Sequence, residues 1–190
     1  DGENHGKLND FFNKGRIVTT IGPNVNVFAR FGVGQITNKN DAFLEAMSYI
    51  FPEGDKKPSP ELIRQKLASS DFLTQAIFER LNNGLISTIF KTNNNNVQDA
   101  MAEFKEYILH EYINENLLWH YISFPNLWLP NGGINILIIQ KTLNKYALLC
   151  PVNMSFEEYF DPNKQTVLLM KINDFLYQPI VKISCFVNYG

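Results

Sequence analysis

Histidine and cysteine, the side chains most used for nucleophilic and metal chemistry, are scarce in this chain: three and two among 190 residues. Cys150 and Cys185 stand alone, without a Cys-x-x-Cys spacing or a nearby histidine pair, which argues against a zinc site. Both lie in apolar, strand-like stretches. The residue type is among the most often buried, so both are expected to be reduced core thiols without a disulfide. No apolar run approaches the ~18 residues that span a bilayer, and no charged-then-apolar leader precedes a cleavage site. These absences exclude a membrane-spanning helix and lead us to expect a soluble, intracellular protein. An excess of one charge sign is lacking too. Seventeen basic and nineteen acidic residues leave a net charge of −2, so nothing global favours wrapping nucleic acid. An initial methionine is missing as well, and the solvated lead-in from Asp1 to Lys7 reads as the start of a piece cut from a larger parent.

Aromatic residues, by contrast, are plentiful. Fifteen phenylalanines and eight tyrosines, within 45% hydrophobic content, supply one substantial core, and 190 residues is the size of one domain. Residues 1–15 are polar and glycine-containing and are expected to be a flexible arm or linker, with 16–190 forming a single domain.

Along the chain, Arg16 to Ile21 is a β-branched run closed by Gly22-Pro23, hence a strand and a turn. Phe43, Ala46, Met47 and Ile50 recur at helical spacing up to Pro52. Ser59-Pro60-Glu61 is a strong helix start for a segment reaching Ala68. Leu73, Ile77, Phe78 and Leu81 mark a further helix, ended by Asn82-Asn83-Gly84. Another helical stretch follows, and then the tract Asn93 to Asn96 reads as a solvated connector. Ala100, Met101, Phe104, Ile108 and Tyr112 define an amphipathic helix over Val97 to Ile113. Leu117 to Ile122 is nearly all apolar and therefore central. The period then changes: Ile134–Ile139, Tyr146–Cys150, Thr166–Lys171 and Tyr177–Ile183 read as strands, with turn chemistry at Asn144-Lys145 and Asn173-Asp174. A helical N-terminal half followed by a mainly antiparallel sheet is an α+β arrangement.

The chemistry-bearing stretch is Asn40-Asp41-Ala42-Phe43-Leu44-Glu45-Ala46, where a polar, glycine-containing loop feeds a buried helix. Thiol hydrolases place a cysteine at such a helix start because free N–H groups and the positive dipole end lower the thiol pKa. Here the position holds Ala42. The segment resembles the Asp-Gly-Asn-Cys-Leu-Phe-Arg-Ala turn of the ovarian-tumour (OTU) family of cysteine proteases, with the cysteine replaced. Two later segments follow in that family's order. Trp128-Leu129-Pro130-Asn131-Gly132-Gly133 before Ile134 resembles its Trp-Gly-Gly segment. The hairpin from Thr166 to Ile180 resembles the one that delivers the catalytic histidine as His-Tyr, and here the pair is Leu176-Tyr177. The chain is also similar to OTU-like segments within long proteins of large cytoplasmic DNA viruses, over Phe28–Val33, Ala42–Ala46, Leu117–Ser123, Gly133–Ile138, Cys150-Pro151 and Tyr177–Ile180.

The resemblance implies an OTU-like fold with vestigial site positions Asp41, Ala42, Leu176 and Tyr177, and with the Ala42 helix start beside the Leu176-Tyr177 strand. It implies no catalytic residue, no cofactor and no metal. Trp128, Gly132 and Gly133 are candidates for lining an old binding cleft, with a hydrophobic cap on the sheet as the equal alternative. Partners would be a protein or the rest of a larger viral polypeptide, with ubiquitin a candidate, no membrane, and nucleic acid disfavoured by the charge. An engineered cysteine knockout at Ala42 would leave an active deubiquitinating protease as the native form, but Leu176 argues against it, since two separate losses are then needed. Elsewhere, His110 is expected on the solvated side of its helix and His120 in a structural hydrogen bond. Lys56-Lys57 and Arg64-Lys66 read as ordinary solvated charges.

Overall fold

In a computed structural model, residues 26–30, 38–51, 57–94, 96–124, 133–143 and 145–184 are described. The arm 1–15, the strand expected at Arg16–Ile21, the loop 31–37, Lys56, Trp128, Gly132 and Cys185 lie outside them. The short strand β1 (Asn26–Arg30) is followed by a 3-10 turn, Lys39–Asp41, which runs directly into helix α1 (Ala42–Ser48).

Among the described residues five more helices follow in the N-terminal half, and most are started by a side chain that accepts from an otherwise orphaned N–H. Ser59 accepts from the Leu62 N–H at 3.2 Å and Pro60 opens α2 (Pro60–Ala68), as expected. Thr74 caps α3 (Gln75–Arg80), Asn96 caps α5 (Val97–His110) and Asn114 caps α6 (Glu115–Ile122). Between α3 and α4 (Leu85–Lys91) the chain reverses through three left-handed residues, Asn82, Asn83 and Gly84, with φ of 48°, 52° and 83°. Asparagine tolerates that region and glycine occupies it freely. Of the tract read as a solvated connector, Asn96 serves as a helix cap.

The C-terminal half holds β2 (Ile134–Lys141), β3 (Tyr146–Leu148), a one-turn helix α7 (Phe156–Tyr159), β4 (Gln165–Asn173) and β5 (Leu176–Ser184). The five strands form one sheet in the order β1-β5-β4-β2-β3. Three of its four pairings are antiparallel, in keeping with the mainly antiparallel expectation, but β2 and β4 run parallel. Strands consecutive in sequence are not all neighbours: the chain leaves β3, forms α7 and returns beside β2. A tight turn cannot make that connection, which needs a crossover. At the β4–β5 hairpin the expected turn is present, with the Asn173 side chain accepting from the Phe175 N–H at 2.8 Å.

Helices and sheet share one core, built around Trp119, Tyr121, Phe43, Phe51, Phe78 and Phe104, each about 1% exposed or less. On β2, Ile134, Ile136 and Ile138 face this core and pair laterally with β4, which brings in Leu169. The Trp119 indole N–H is satisfied twice, by the Ile136 carbonyl at 2.7 Å and the Tyr159 hydroxyl oxygen at 2.8 Å. That oxygen also accepts from the Ile136 N–H at 2.7 Å. Burial pushes the Tyr159 phenol up to about 12, so it remains a neutral structural link between α6, α7 and β2. No helix among the described residues is long and apolar enough to cross a membrane.

Candidate functional site

The start of α1 and the start of β5 pack against each other. Ala42 is the first residue of α1 and 1% exposed; Phe43, beside it, meets the Tyr177 ring edge-on with centroids 5.4 Å apart. Leu176 and Tyr177 open β5, and Tyr177 is fully buried. The sequence elements singled out at residues 40–46 and 176–177 are thus brought together, although 129 residues of chain separate them. Gly133 enters β2 with a φ of 79° and is tied to the end of α6 through the next residue, whose N–H donates to the Ser123 carbonyl at 3.2 Å.

Asp41 faces a cation that sequence reasoning had assigned to solvent. Arg64, on α2, is only 6% exposed. Its Nε and Nη2 donate to Asp41 Oδ1 at 2.7 and 2.6 Å, its Nη1 to the carbonyls of Ile108 and Glu111 at 2.5 and 3.0 Å, and its Nη2 to the Asn40 carbonyl at 3.1 Å. The reading of Arg64 as an ordinary solvated charge is therefore corrected. Its position one residue after Ile63 and three before Leu67 puts it on the buried stripe of α2, and a guanidinium can be buried where its donors are all used. The other Asp41 oxygen accepts from Asn38 Nδ2 at 2.8 Å. Both carboxylate oxygens are occupied.

A second charged cluster underlies the same junction, and the sequence reading had no place for it. Glu115, 2% exposed at the start of α6, accepts from Lys171 Nζ at 2.6 Å and, through its other oxygen, from the Tyr177 hydroxyl in a very short hydrogen bond. Lys171 also reaches Asp174 at 2.9 Å. Burial pulls the Lys171 ammonium down, but the hydrogen bonds and charges of Glu115 and Asp174 outweigh it and hold the pKa above its ordinary value. Burial, reinforced by the Glu115 carboxylate, pushes the Tyr177 phenol far up. The cluster is one ammonium, two carboxylates and a neutral phenol. A signal did exist: Lys171 directly opposes Tyr177 across the β4–β5 ladder and shares strand parity with Leu169.

A polar depression of about 380 Å³ opens beside this junction, lined among others by Asn38, Asn40, Asp41, Glu61, Arg64 and His110. His110 is exposed as expected and stands 3.5 Å from Glu106 on its own helix. The described lining holds no thiol. His120 is half-buried and its Nδ1 accepts from the Asn82 N–H at 2.9 Å, the structural bond expected of it. Burial, with Arg80 and Lys164 nearby, pulls its pKa down to about 4. Cys150 corrects an expectation. It is exposed and lies beyond the end of β3 rather than buried within it, because the strand stops at Leu148 and the chain turns at Pro151. Among the described residues no group of three His, Cys, Asp or Glu side chains is placed to hold a metal ion.

No protein-family model matches this chain, and no curated protein matches it in sequence. Among solved structures it is similar to an OTU deubiquitinase from Wolbachia pipientis wMel, with a TM-score of 0.44 and 10% identity over 81% of this chain and 88% of that one. A likeness of that size does not by itself define a family.

Proposed function

We propose that this chain is a catalytically inactive, OTU-like module that serves in protein–protein assembly within a larger viral polypeptide, in the cytoplasm of the infected host cell or in the virion. The observation that supports it best is the junction itself. Where a thiol hydrolase needs a nucleophile and a base within hydrogen-bond reach, the α1 and β5 starts offer Ala42, Phe43, Leu176 and Tyr177. The neighbouring carboxylates are committed to Arg64 and Lys171. The ordered motifs from residue 28 onward support the OTU-like and viral parts of the reading, and a retained core with lost chemistry supports a binding role. Ubiquitin is the first partner to try.

The test is cleavage. Native chain incubated with ubiquitin chains and a ubiquitin–fluorophore conjugate is expected to leave both intact while its circular dichroism remains that of a folded α+β protein. Ala42→Cys alone is expected to stay silent, because with Leu176 in place of an imidazole no group beside the thiol can take its proton or hand one to the leaving amine. Turnover that survives repurification and vanishes on replacing exposed Cys150 would overturn the reading.

A further inference from the structure

The sheet ends at β3, and the segment around that edge is unlike the rest of the surface. Three of the six large apolar side chains exposed among the described residues fall within residues 143–152: Leu143 at 98%, Leu148 at 50% and Val152 at 40%. Among the described residues no strand lies beyond β3. The Leu149 N–H donates to the Ile138 carbonyl at 2.8 Å and the Thr142 N–H to the Lys145 carbonyl at 2.8 Å. Bonded and non-bonded pairs alternate in an antiparallel ladder, so Leu148, which opposes Ile139, is a non-bonded pair whose N–H and C=O point away from β2. Charge is one-sided here. In a chain of net charge −2, residues 116–156 contain no Asp or Glu, and the exposed Lys141 and Lys145 flank the β2–β3 turn.

We infer that the β3 edge is a docking strand for an extended partner segment carrying alternating apolar and acidic side chains. Main-chain bonds to Leu148 would add the partner as a further strand, apolar side chains would cover Leu148 and Val152, and carboxylates on the partner's other face would meet Lys145, with Lys141 adding to the positive field of the edge. Charged residues beside a short edge strand are also a common device against edge-to-edge pairing with a second copy, and Lys145 stands at the start of β3. So short a strand supports a small interface, of the kind made by transient partners. That a partner exists rests on the assembly reading above; the place and the chemistry rest on β3.

A fluorescein-labelled peptide of roughly eight residues alternating glutamate and valine is the probe, and a lysine–valine peptide the control. The full chain is expected to bind the acidic peptide at least about tenfold more tightly than the basic one, less so at high salt, with amide shift changes confined to residues 138–152. Leu148→Pro removes the outward N–H without touching a β2–β3 bond and is expected to weaken binding about tenfold. Lys141→Glu with Lys145→Glu is a surface change that leaves the fold alone and is expected to invert the preference. Equal binding of both peptides, no binding up to about 1 mM, shifts elsewhere on the molecule, or indifference to Leu148→Pro and the charge reversal would each overturn the inference. So would concentration-dependent dimerisation abolished by Leu148→Pro, which would give the edge to a second copy. Ubiquitin cleavage by the native chain would sink the inactive-module reading and leave the peptide result untouched.

Discussion

Replacing Arg64 tests whether the junction is held by a buried cation. The guanidinium makes five donor contacts of 2.5–3.1 Å to the Asp41 carboxylate and to the carbonyls of Asn40, Ile108 and Glu111. Arg64→Ala strands these acceptors unequally. The Asn40 carbonyl keeps the Ile113 N–H at 3.5 Å and Glu111 is exposed, so water reaches it, but the Ile108 carbonyl is buried. Breaking a buried ion pair costs about 3–5 kcal/mol, and an orphaned buried carbonyl about 1–3. The Asp41 side chain is 19% exposed, which permits partial rehydration, and the two costs overlap because one side chain makes both contacts. We therefore expect Arg64→Ala to destabilise by about 3–4 kcal/mol, a large part of the ~5–15 kcal/mol that holds a domain. Arg64→Lys keeps the charge but loses the planar fork, for about 1–2 kcal/mol. Urea titration followed by circular dichroism measures both, with an unchanged m-value confirming that the change lies in stability. A cost below about 1 kcal/mol for alanine, or equal costs for alanine and lysine, would refute the assignment of Arg64 as a buried hub and restore it to the solvated surface.

Two further substitutions probe the groups around it. Tyr177→Phe keeps the ring against Phe43 but removes the hydroxyl that donates to Glu115, leaving the carboxylate with Lys171 alone. The expected loss is about 1–3 kcal/mol by urea titration, and a variant as stable as the native chain would contradict the hydrogen bond. His120 predicts a pH dependence. Its folded pKa of about 4 lies below the ordinary 6.5, so the unfolded chain takes up the proton first, and stability present above pH 6.5 is lost as pH falls toward 4. The full shift corresponds to about 3 kcal/mol, and solvent reaching the half-buried ring reduces it to about 1–2. His120→Gln should flatten the urea midpoint between pH 6.5 and 4.5 relative to the native chain; parallel curves would refute the role.

Much of the helical half could be read locally. Ser59-Pro60, the triplet Asn82-Asn83-Gly84 and Asn173-Asp174 act through contacts within four residues, so composition alone specifies them. Helix α7 was equally legible: Ser155 and Glu158 form a reciprocal capping box, with the Glu158 N–H donating to Ser155 Oγ at 3.3 Å and the Ser155 N–H to Glu158 Oε2 at 2.7 Å. The parallel β2–β4 pair belongs to another class. Strand order depends on which apolar faces meet after collapse, and no residue in Ile134–Lys141 or Gln165–Asn173 carries that choice by itself.

The site divides in the same way. That Arg64, Glu115 and Lys171 sit on buried stripes follows from periodicity: Ile63 and Leu67 flank the first, Leu118, Trp119 and Ile122 follow the second at three, four and seven residues, and Leu169 precedes the third by two. Their partners do not follow, because Asp41 lies 23 residues from Arg64, and Lys171 and Tyr177 lie 56 and 62 from Glu115. That pairing bears on function as well as on stability. A general base must turn an unshared pair of electrons toward its substrate. Asp41 gives one oxygen to Arg64 and the other to Asn38, and Glu115 gives one to Lys171 and the other to Tyr177. Freeing Glu115 from Lys171, or the Asp41 oxygen that Arg64 holds, means breaking a buried or half-buried ion pair. The contacts that lock α1, α2, α6 and β5 together are therefore the same ones that withhold a base from the junction, and introducing a thiol at residue 42 alters neither.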